Sequence, residues 1–475
     1  MNSKNPRFDS LDEWLKWQES VHWVDIDLGL DRIREVATRM QLLSVPFPII
    51  TVAGTNGKGS TVAILEAMLI AEGYRTGSYT SPYLYRYNER IKVSNNGVAK
   101  DTEDALLCAA FAAIDSARAA SATAEEISLT YFEFATLAAI WIFHQQDIEV
   151  AILEVGMGGR LDAVNLWDND VAVITSIGID HVKWLGDNRE DIGREKSGIM
   201  RQGGVVISGD LEPPLSIAEQ AREIGAILYQ AANQDQVNNQ LGKGRTGKNF
   251  SCEFTWEIGE TDWNLRLSEQ QWVNLPFPAL QGDFQFNNAA VAISALYALK
   301  NKLKVSNTSI RAGLKQVKLL GRLEQVQTQP DIILDVAHNG HAAKQLAGWL
   351  SKTATQRAIQ RARHNNKSTQ KNEPGKTYAL FSMLDDKDIN QVVDVMNPLI
   401  DRWFVSTLND PRGISVEDLV NKMSTSDVVD ATDINITAFE TLEAAWEGCK
   451  KELKKADKVI VFGSFLVLSQ FKVIF

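Results

Sequence analysis

The chain has 475 residues, 44% of them hydrophobic and 23% charged, with a formal net charge of -11. Two or three hydrophobic cores fit that length; the composition excludes a disordered or fibrous chain, and the acidic balance argues against nucleic acid or an anionic membrane as partner. Cys108, Cys252 and Cys449 lack paired spacing, the N-terminus has no basic-then-apolar leader and no apolar run could span a bilayer, so the expectation is a cytoplasmic protein acting on small molecules, without zinc or disulfides.

Ser10-Leu-Asp-Glu13 is a capping-box pattern that predicts a short opening helix. A second helix follows the turn at Asp27–Leu30, with Leu30, Ile33, Ala37 and Met40 on one face, and stops before Pro46 and Pro48. The stretch Ile49–Thr61, IITVAGTNGKGST, then runs from a β-branched strand into a glycine-rich turn and a helix start around Ser60 and Thr61. Glycines there let the backbone curl around an anion, and Lys58 can reach the terminal phosphates of a nucleotide. The spacing is a compressed P-loop: Gly54-x-x-Gly57-Lys58, with an extra Gly59 before Ser60.

Strands are expected near 76–80, at Val150–Val155 running into Gly156-Met-Gly-Gly159, and at Val171–Ile177 running into Gly178-Ile-Asp-His181, with helices near 102–119 and 131–145. Apolar strands separated by helices imply a parallel sheet covered on both faces, with ligands beyond the strands' carboxyl ends. The polar stretch 234–248 reads as an exposed loop before a small β-rich excursion whose Trp256, Trp263 and Trp272 are core. After helices at 288–300 and 307–318, strands at 332–336, 378–381, 403–406 and 459–462 predict a second α/β domain. Within it, the basic, polar stretch 351–376 reads as a loose insertion.

Seven pieces in order carry a family resemblance: Ala53-Gly-Thr-Asn-Gly-Lys-Gly-Ser60, Thr80-Ser-Pro82, Leu153-Glu-Val-Gly-Met-Gly-Gly-Arg-Leu-Asp162, Asp180-His181, Lys196-Ser-Gly-Ile199, Gly321-Arg322 and Asp335-Val-Ala-His-Asn339. Together they resemble the folylpolyglutamate synthases of the Mur ligase superfamily. Ile26-Asp-Leu-Gly-Leu30 and Leu129-Thr-Tyr-Phe-Glu133 look like the bacterial bifunctional form, which is also a dihydrofolate synthase. The resemblance implies an α/β, Mur-ligase-like fold: a P-loop ATPase domain with a mostly parallel sheet over 1–320, which also binds pterin, and a smaller Rossmann-like α/β domain over 321–475 that completes the ATP site and helps to bind glutamate. It implies an ATP-dependent ligase joining L-glutamate to 7,8-dihydropteroate and to the γ-carboxylate of folate glutamates through an acyl phosphate. A single-activity folylpolyglutamate synthase and a Mur-type ligase of a cell-wall precursor are the alternatives. Relatives use Mg²⁺, a second divalent ion being left open, and are commonly monomers.

Residue by residue, the resemblance assigns ATP to Thr55, Asn56, Gly57, Lys58, Gly59, Ser60, Asn288, Arg322 and Asp335. It assigns the metal to Ser81, Glu154 and His181, of which Ser81 and Glu154 supply the oxygen that Mg²⁺ favours. Lys58, His181 and Lys196 are the catalytic set; Lys196 matches a lysine often carbamylated in relatives, with an unmodified lysine pairing with phosphate or Asp180 as the open alternative. The pterin falls to Leu28, Gly29, Leu30 and Asp31, to Thr130, Tyr131, Phe132 and Glu133, and to Leu161, Asp162 and Ala163. Phe132 stacks on the ring or simply packs its helix, and Asp162 faces the amino-pyrimidine edge. His338 and Asn339 are assigned to glutamate, with helix capping as the other reading of Asn339. Tyr83, Gly340 and the pair Leu466-Val467 depart from the family pattern, which puts in doubt only a polar contact from the last turn.

Overall fold

A computed structural model describes residues 6–22, 24, 26–119, 126–232, 252–365, 375–425 and 434–475. The chain divides into two compact units, residues 1–279 with 285–317, and residues 280–284 with 318–475.

The first unit opens with the helix Leu11–Val21, capped by the Ser10–Glu13 box, and the helix Asp31–Arg39, which buries Ile33, Val36 and Ala37. Its strands are β1 (Ile49–Ala53), β2 (Thr76–Tyr79), β3 (Ile91–Asn95), β4 (Val98–Asp101), β5 (Val150–Glu154), β6 (Val171–Ile174), β7 (Val205–Ser208), β8 (Ile227–Ala231), β9 (Cys252–Ile258), β10 (Trp263–Leu267) and β11 (Gln270–Leu275). They form one sheet in the order β11-β10-β9-β8-β7-β6-β1-β5-β2-β3-β4. From β9 to β2 every neighbouring pair is parallel. β1, β5 and β6 are buried along their whole length, as a doubly covered sheet requires. Both edges turn antiparallel, through β3–β4 on one side and β10–β11 on the other.

The hairpin β3–β4 was not expected, although Asn96-Gly97 forms its two-residue turn with both φ angles positive, at 51° and 80°, the backbone shape a tight hairpin demands. Trp263 and Trp272 are core, and Trp256 is half-buried.

In the second unit, β12 (Glu324–Thr328), β13 (Asp331–Leu334), β14 (Thr377–Phe381), β15 (Arg402–Ser406), β16 (Ile436–Phe439) and β17 (Lys458–Phe462) lie in the order β12-β13-β17-β14-β15-β16. All pairs are parallel except β12–β13. The edge strands β12 and β16 were missed because neither is fully buried, so their sequences lack the apolar run that marks the inner strands. The expected loose insertion at 351–376 is corrected: the helix Gly340–Asn365 continues through its first part. Alanine, lysine, glutamine and arginine are strong helix formers, so polarity alone did not predict a break. Residues 366–374, and the loop expected at 234–248, lie outside the described residues. Among the described residues no helix is long and apolar enough to cross a membrane.

Candidate functional site

Because β6 and β5 flank β1 on opposite sides, the end of β1 is where connections diverge and a ligand can enter. The chain leaves β1 through Gly54, caps the next helix with Gly57 and begins it at Lys58, two residues earlier than Ser60 had suggested. Gly57 holds a left-handed φ of 89°, and a Cβ there would come within 2.6 Å of Asn288 Oδ1; at Gly54 a Cβ would come within 1.9 Å of Thr175 Oγ1. Only glycine fits both positions.

The loop is pinned by the end of β6. Thr175 Oγ1 donates to the Asn56 carbonyl at 2.6 Å, Ser176 Oγ to the same oxygen at 3.0 Å, and Thr55 N–H to the Ser176 carbonyl at 2.7 Å. The Gly178 amide donates to Thr55 Oγ1 at 3.0 Å. Thr175 and Ser176 were absent from the expected site, although they end a strand that the sequence identified. Lys58 Nζ donates to the carbonyls of Gly54 and Thr55 at 3.0 and 3.2 Å. Lys196 Nζ, almost fully buried, donates to the Gly54 carbonyl at 2.9 Å. Burial, and next the neighbouring Lys58 charge, push the Lys196 ammonium down to about 7. Asn288 is brought to the loop by a relay through Gln285, a residue the sequence did not single out: Asn288 Nδ2 donates to Gln285 Oε1 at 2.9 Å, and Gln285 Nε2 to Ser60 Oγ at 3.3 Å. With Gly59 and Ser60 in the first turn, the start of the helix brings backbone N–H groups and the positive end of its dipole to the loop, which suits an anion.

Glu154 closes β5 with its carboxyl nearly buried, and its Oε2 accepts the Ser81 amide at 3.3 Å. His181 is exposed, holds a left-handed φ of 53° at the start of the helix Val182–Leu185, and donates its amide to Asp180 Oδ1 at 2.8 Å. Among the described residues no three His, Cys, Asp or Glu side chains cluster to hold a metal. One buried carboxylate beside a serine nevertheless fits Mg²⁺, which typically takes one or two carboxylates and completes its shell with water and phosphate oxygens.

The helical segments that begin at Asp31 and Ala163 both pack against the helix Tyr131–Gln145, so the three segments expected at the pterin share that neighbour. Thr130 and Glu133 close a capping box on the helix Tyr131–Gln145. Arg32 donates to Asp27 Oδ2 at 2.6 Å and to the Asp27 carbonyl at 2.8 Å, and its Nη2 lies 3.4 Å from Glu133 Oε1. The 28–31 segment is thereby tied to that helix start, and Gly29 has open space beside it. Burial pushes the Glu133 carboxyl above its ordinary pKa. The Phe132 ring lies 5.7 Å from that of Tyr79, and a Cβ on Gly156 would come within 2.6 Å of Phe132 Cζ. Asp162 accepts from the Met157 and Val164 amides at 2.9 and 3.0 Å, and burial pushes its carboxyl up to about 6. Leu161 is half-exposed and Ala163 buried beside it.

In the second unit, Asp335 is buried and accepts from the Leu323 and Ala337 amides, both at 2.9 Å. Burial pushes its carboxyl up, against the pull of Arg322. The Arg322 guanidinium lies 5.3 Å from the Phe465 ring centroid, and His338 Nδ1 meets the Val336 carbonyl at 2.8 Å. Asn339 Oδ1 accepts from Ala342 at 2.9 Å, the helix-capping arrangement. The turn at Gly463–Phe465 is intact, with Ser464 capping the helix Phe465–Ile474.

Residues 52–296 match the Mur ligase middle domain, and residues 321–465 match the Mur ligase glutamate ligase domain. A dihydrofolate synthase/folylpolyglutamate synthase of Escherichia coli is 39% identical over 96% of this chain and 93% of its own. The chain belongs to the dihydrofolate synthase/folylpolyglutamate synthase family of Mur ligases. It is therefore an ATP-dependent ligase. A family member from Haemophilus influenzae is 37% identical, over 97% of this chain and 96% of its own. Among solved members, E. coli FolC in complex with DHPP and ADP superposes with a TM-score of 0.82 at 37% identity, covering 99% of both chains. A bifunctional folylpolyglutamate synthase/dihydrofolate synthase with Mn, AMPPNP and L-glutamate bound gives 0.80 at 37% identity, covering 98% of both.

Proposed function

We propose that this protein ligates L-glutamate to 7,8-dihydropteroate, giving dihydrofolate, and to the γ-carboxylate of folate glutamates, extending the tail. The reading is carried by a glycine-rich loop at the end of β1 beside the buried Glu154 at the end of β5, in a chain matching dihydrofolate synthase/folylpolyglutamate synthases over almost its full length. The folate-type segments at 26–30 and 129–133 favour it over a cell-wall precursor ligase. The acidic charge supports small-molecule partners only, and we read the protein as a cytoplasmic monomer.

A carboxylate is a weak electrophile with a poor leaving group, so amide formation passes through phosphorylation by ATP. Repulsion between the γ-phosphoryl group and the approaching carboxylate is offset by fixed cations and N–H dipoles. Lys58 and the amides from Thr55 to Ser60 would serve the phosphates, with Asn288 beside them. In the second unit, Arg322 and Asp335 are read as nucleotide contacts, and His338 and Asn339 as glutamate contacts. Ser81, Glu154 and His181 would hold Mg²⁺, which supplies charge neutralisation of the phosphates. An amine pushed down to about 7, as in Lys196, is substantially unprotonated in neutral solution, the form in which nitrogen can add CO₂; this supports its carbamylation. The pterin would rest against Phe132 with its amino edge at Asp162.

The deciding experiment offers purified protein ATP, Mg²⁺ and L-glutamate with either acceptor. Dihydrofolate should form from dihydropteroate, and ¹⁸O from the acceptor carboxylate should appear in inorganic phosphate. Turnover with a tetrahydrofolate alone would reduce the protein to the single activity, and phosphate free of label would remove the acyl phosphate.

A further inference from the structure

Arg90 ends the short turn Tyr87–Arg90 immediately before β3 and is 9% exposed. Its Nε is buried without a hydrogen-bond partner. Its guanidinium carbon lies 5.1, 5.5 and 5.6 Å from the ring centroids of Tyr83, Tyr87 and Tyr131. Aromatic faces attract a cation, but they do not accept its hydrogen bonds as an anion does. The phenol oxygen of Tyr87 is also buried without a hydrogen-bond partner. Burial raises the Tyr87 pKa, so that the hydroxyl stays protonated and able to donate. Two desolvated donors therefore occur together, and a buried donor left unmatched is costly enough that it calls for an acceptor. The flat, two-oxygen partner that suits a guanidinium fork is a carboxylate.

Position narrows the choice. The Arg90 carbonyl accepts the Thr80 amide at 2.8 Å, directly before Ser81, while Tyr131 directly precedes Phe132 and packs edge-on against Tyr87 at 5.7 Å. Arg90 thus bridges the turn before Ser81 and the helix start that carries Phe132. We propose that Arg90, framed by Tyr83, Tyr87 and Tyr131, receives a carboxylate of the acceptor acid. The proposal rests on the folate-ligase reading above. Dihydropteroate offers only its reacting carboxylate, whereas a folate monoglutamate adds a non-reacting α-carboxylate.

The test compares wild type with Arg90→Met, Arg90→Lys and Tyr87→Phe, measuring kcat and KM for dihydropteroate and for tetrahydrofolate monoglutamate, with ADP affinity and melting temperature as controls on folding. Arg90→Met should raise acceptor KM about 10- to 100-fold, the loss expected for a charged hydrogen bond, while ADP affinity stays within about twofold. Arg90→Lys should restore part of the loss, and Tyr87→Phe, which keeps the ring, should raise KM about threefold to tenfold. A rise with both acceptors assigns the reacting carboxylate; a rise with the monoglutamate alone assigns the α-carboxylate. Acceptor KM within about twofold of wild type for an Arg90→Met protein that binds ADP normally overturns the proposal. So does a normal Tyr87→Phe enzyme combined with a lysine variant no better than the methionine one, which would leave Arg90 a packing role. Should wild type ligate neither acid, the folate reading fails by itself. Calorimetry with p-aminobenzoylglutamate as probe then decides Arg90 separately, binding lost in Arg90→Met supporting the carboxylate site and equal binding in both proteins overturning it.

Discussion

At the phosphate loop, backbone contacts from few neighbours do the holding: Thr175 and Ser176, at the end of β6, grip the backbone of Thr55 and Asn56, and Lys196, from a helix, grips Gly54. The proposed acceptor side is assembled instead from separate pieces of chain, through Arg32 to Glu133, Phe132 against Gly156, and Asp162 onto the amides of its own turn. A loop shaped by its own backbone tolerates no change of residue at its glycines, but it needs few side chains. A pocket shaped by side chains spreads its specificity over many positions, each contributing modestly.

The largest effect should come from the phosphate side. Lys58→Ala is expected to lower turnover by at least about 10³-fold in both reactions, with dihydropteroate binding, measured by calorimetry, left near wild type. Near-normal turnover would remove Lys58 from the phosphates; lost acceptor binding would erase the contrast between the two sides. Gly156→Ala should displace Phe132 and raise acceptor KM by about tenfold while KM for ATP holds. Equal changes in both constants would mean that Phe132 supports the whole site rather than the acceptor alone.

The mildest prediction concerns pH. Because burial raises the Asp162 carboxyl to about 6, its charged, accepting form is lost as pH falls through that value. KM for dihydropteroate should therefore rise roughly threefold to tenfold between about pH 7 and pH 5, and Asp162→Asn should flatten that profile. An unchanged slope in the variant would take Asp162 off the pterin.

The contrast between the two sides also explains what could be read in the sequence. Gly54, Gly57 and Lys58 carry their geometry locally, because positive φ and a strand-to-helix turn are short-range properties, so this part was legible. Gln285 was not: its value lies in reaching both Ser60 and Asn288, and the first of these lies far away in the chain. Thr175 and Ser176 were hidden for the same reason. Arg90 looked like one more charged residue after a glutamate until its tyrosine frame, drawn from three positions, was visible. Parallel strands such as Val150–Glu154 announce themselves by unbroken apolar runs. The hairpin β3–β4 did not, because its residues face solvent in part, although Asn96-Gly97 held a signal that a stricter reading of turns would catch.

The antiparallel ribbons that finish the large sheet have a further consequence. An open strand edge is a template on which other chains can grow, and here the outermost strand on one side is short and carries Lys100 and Asp101. Fraying that begins at either rim must unzip a ribbon before it reaches the middle, where β1 delivers Gly54. Amide protons of β1, β5 and β6 should then be among the last to exchange with deuterated water, so that the nucleotide cradle stays intact through local openings that breach the periphery.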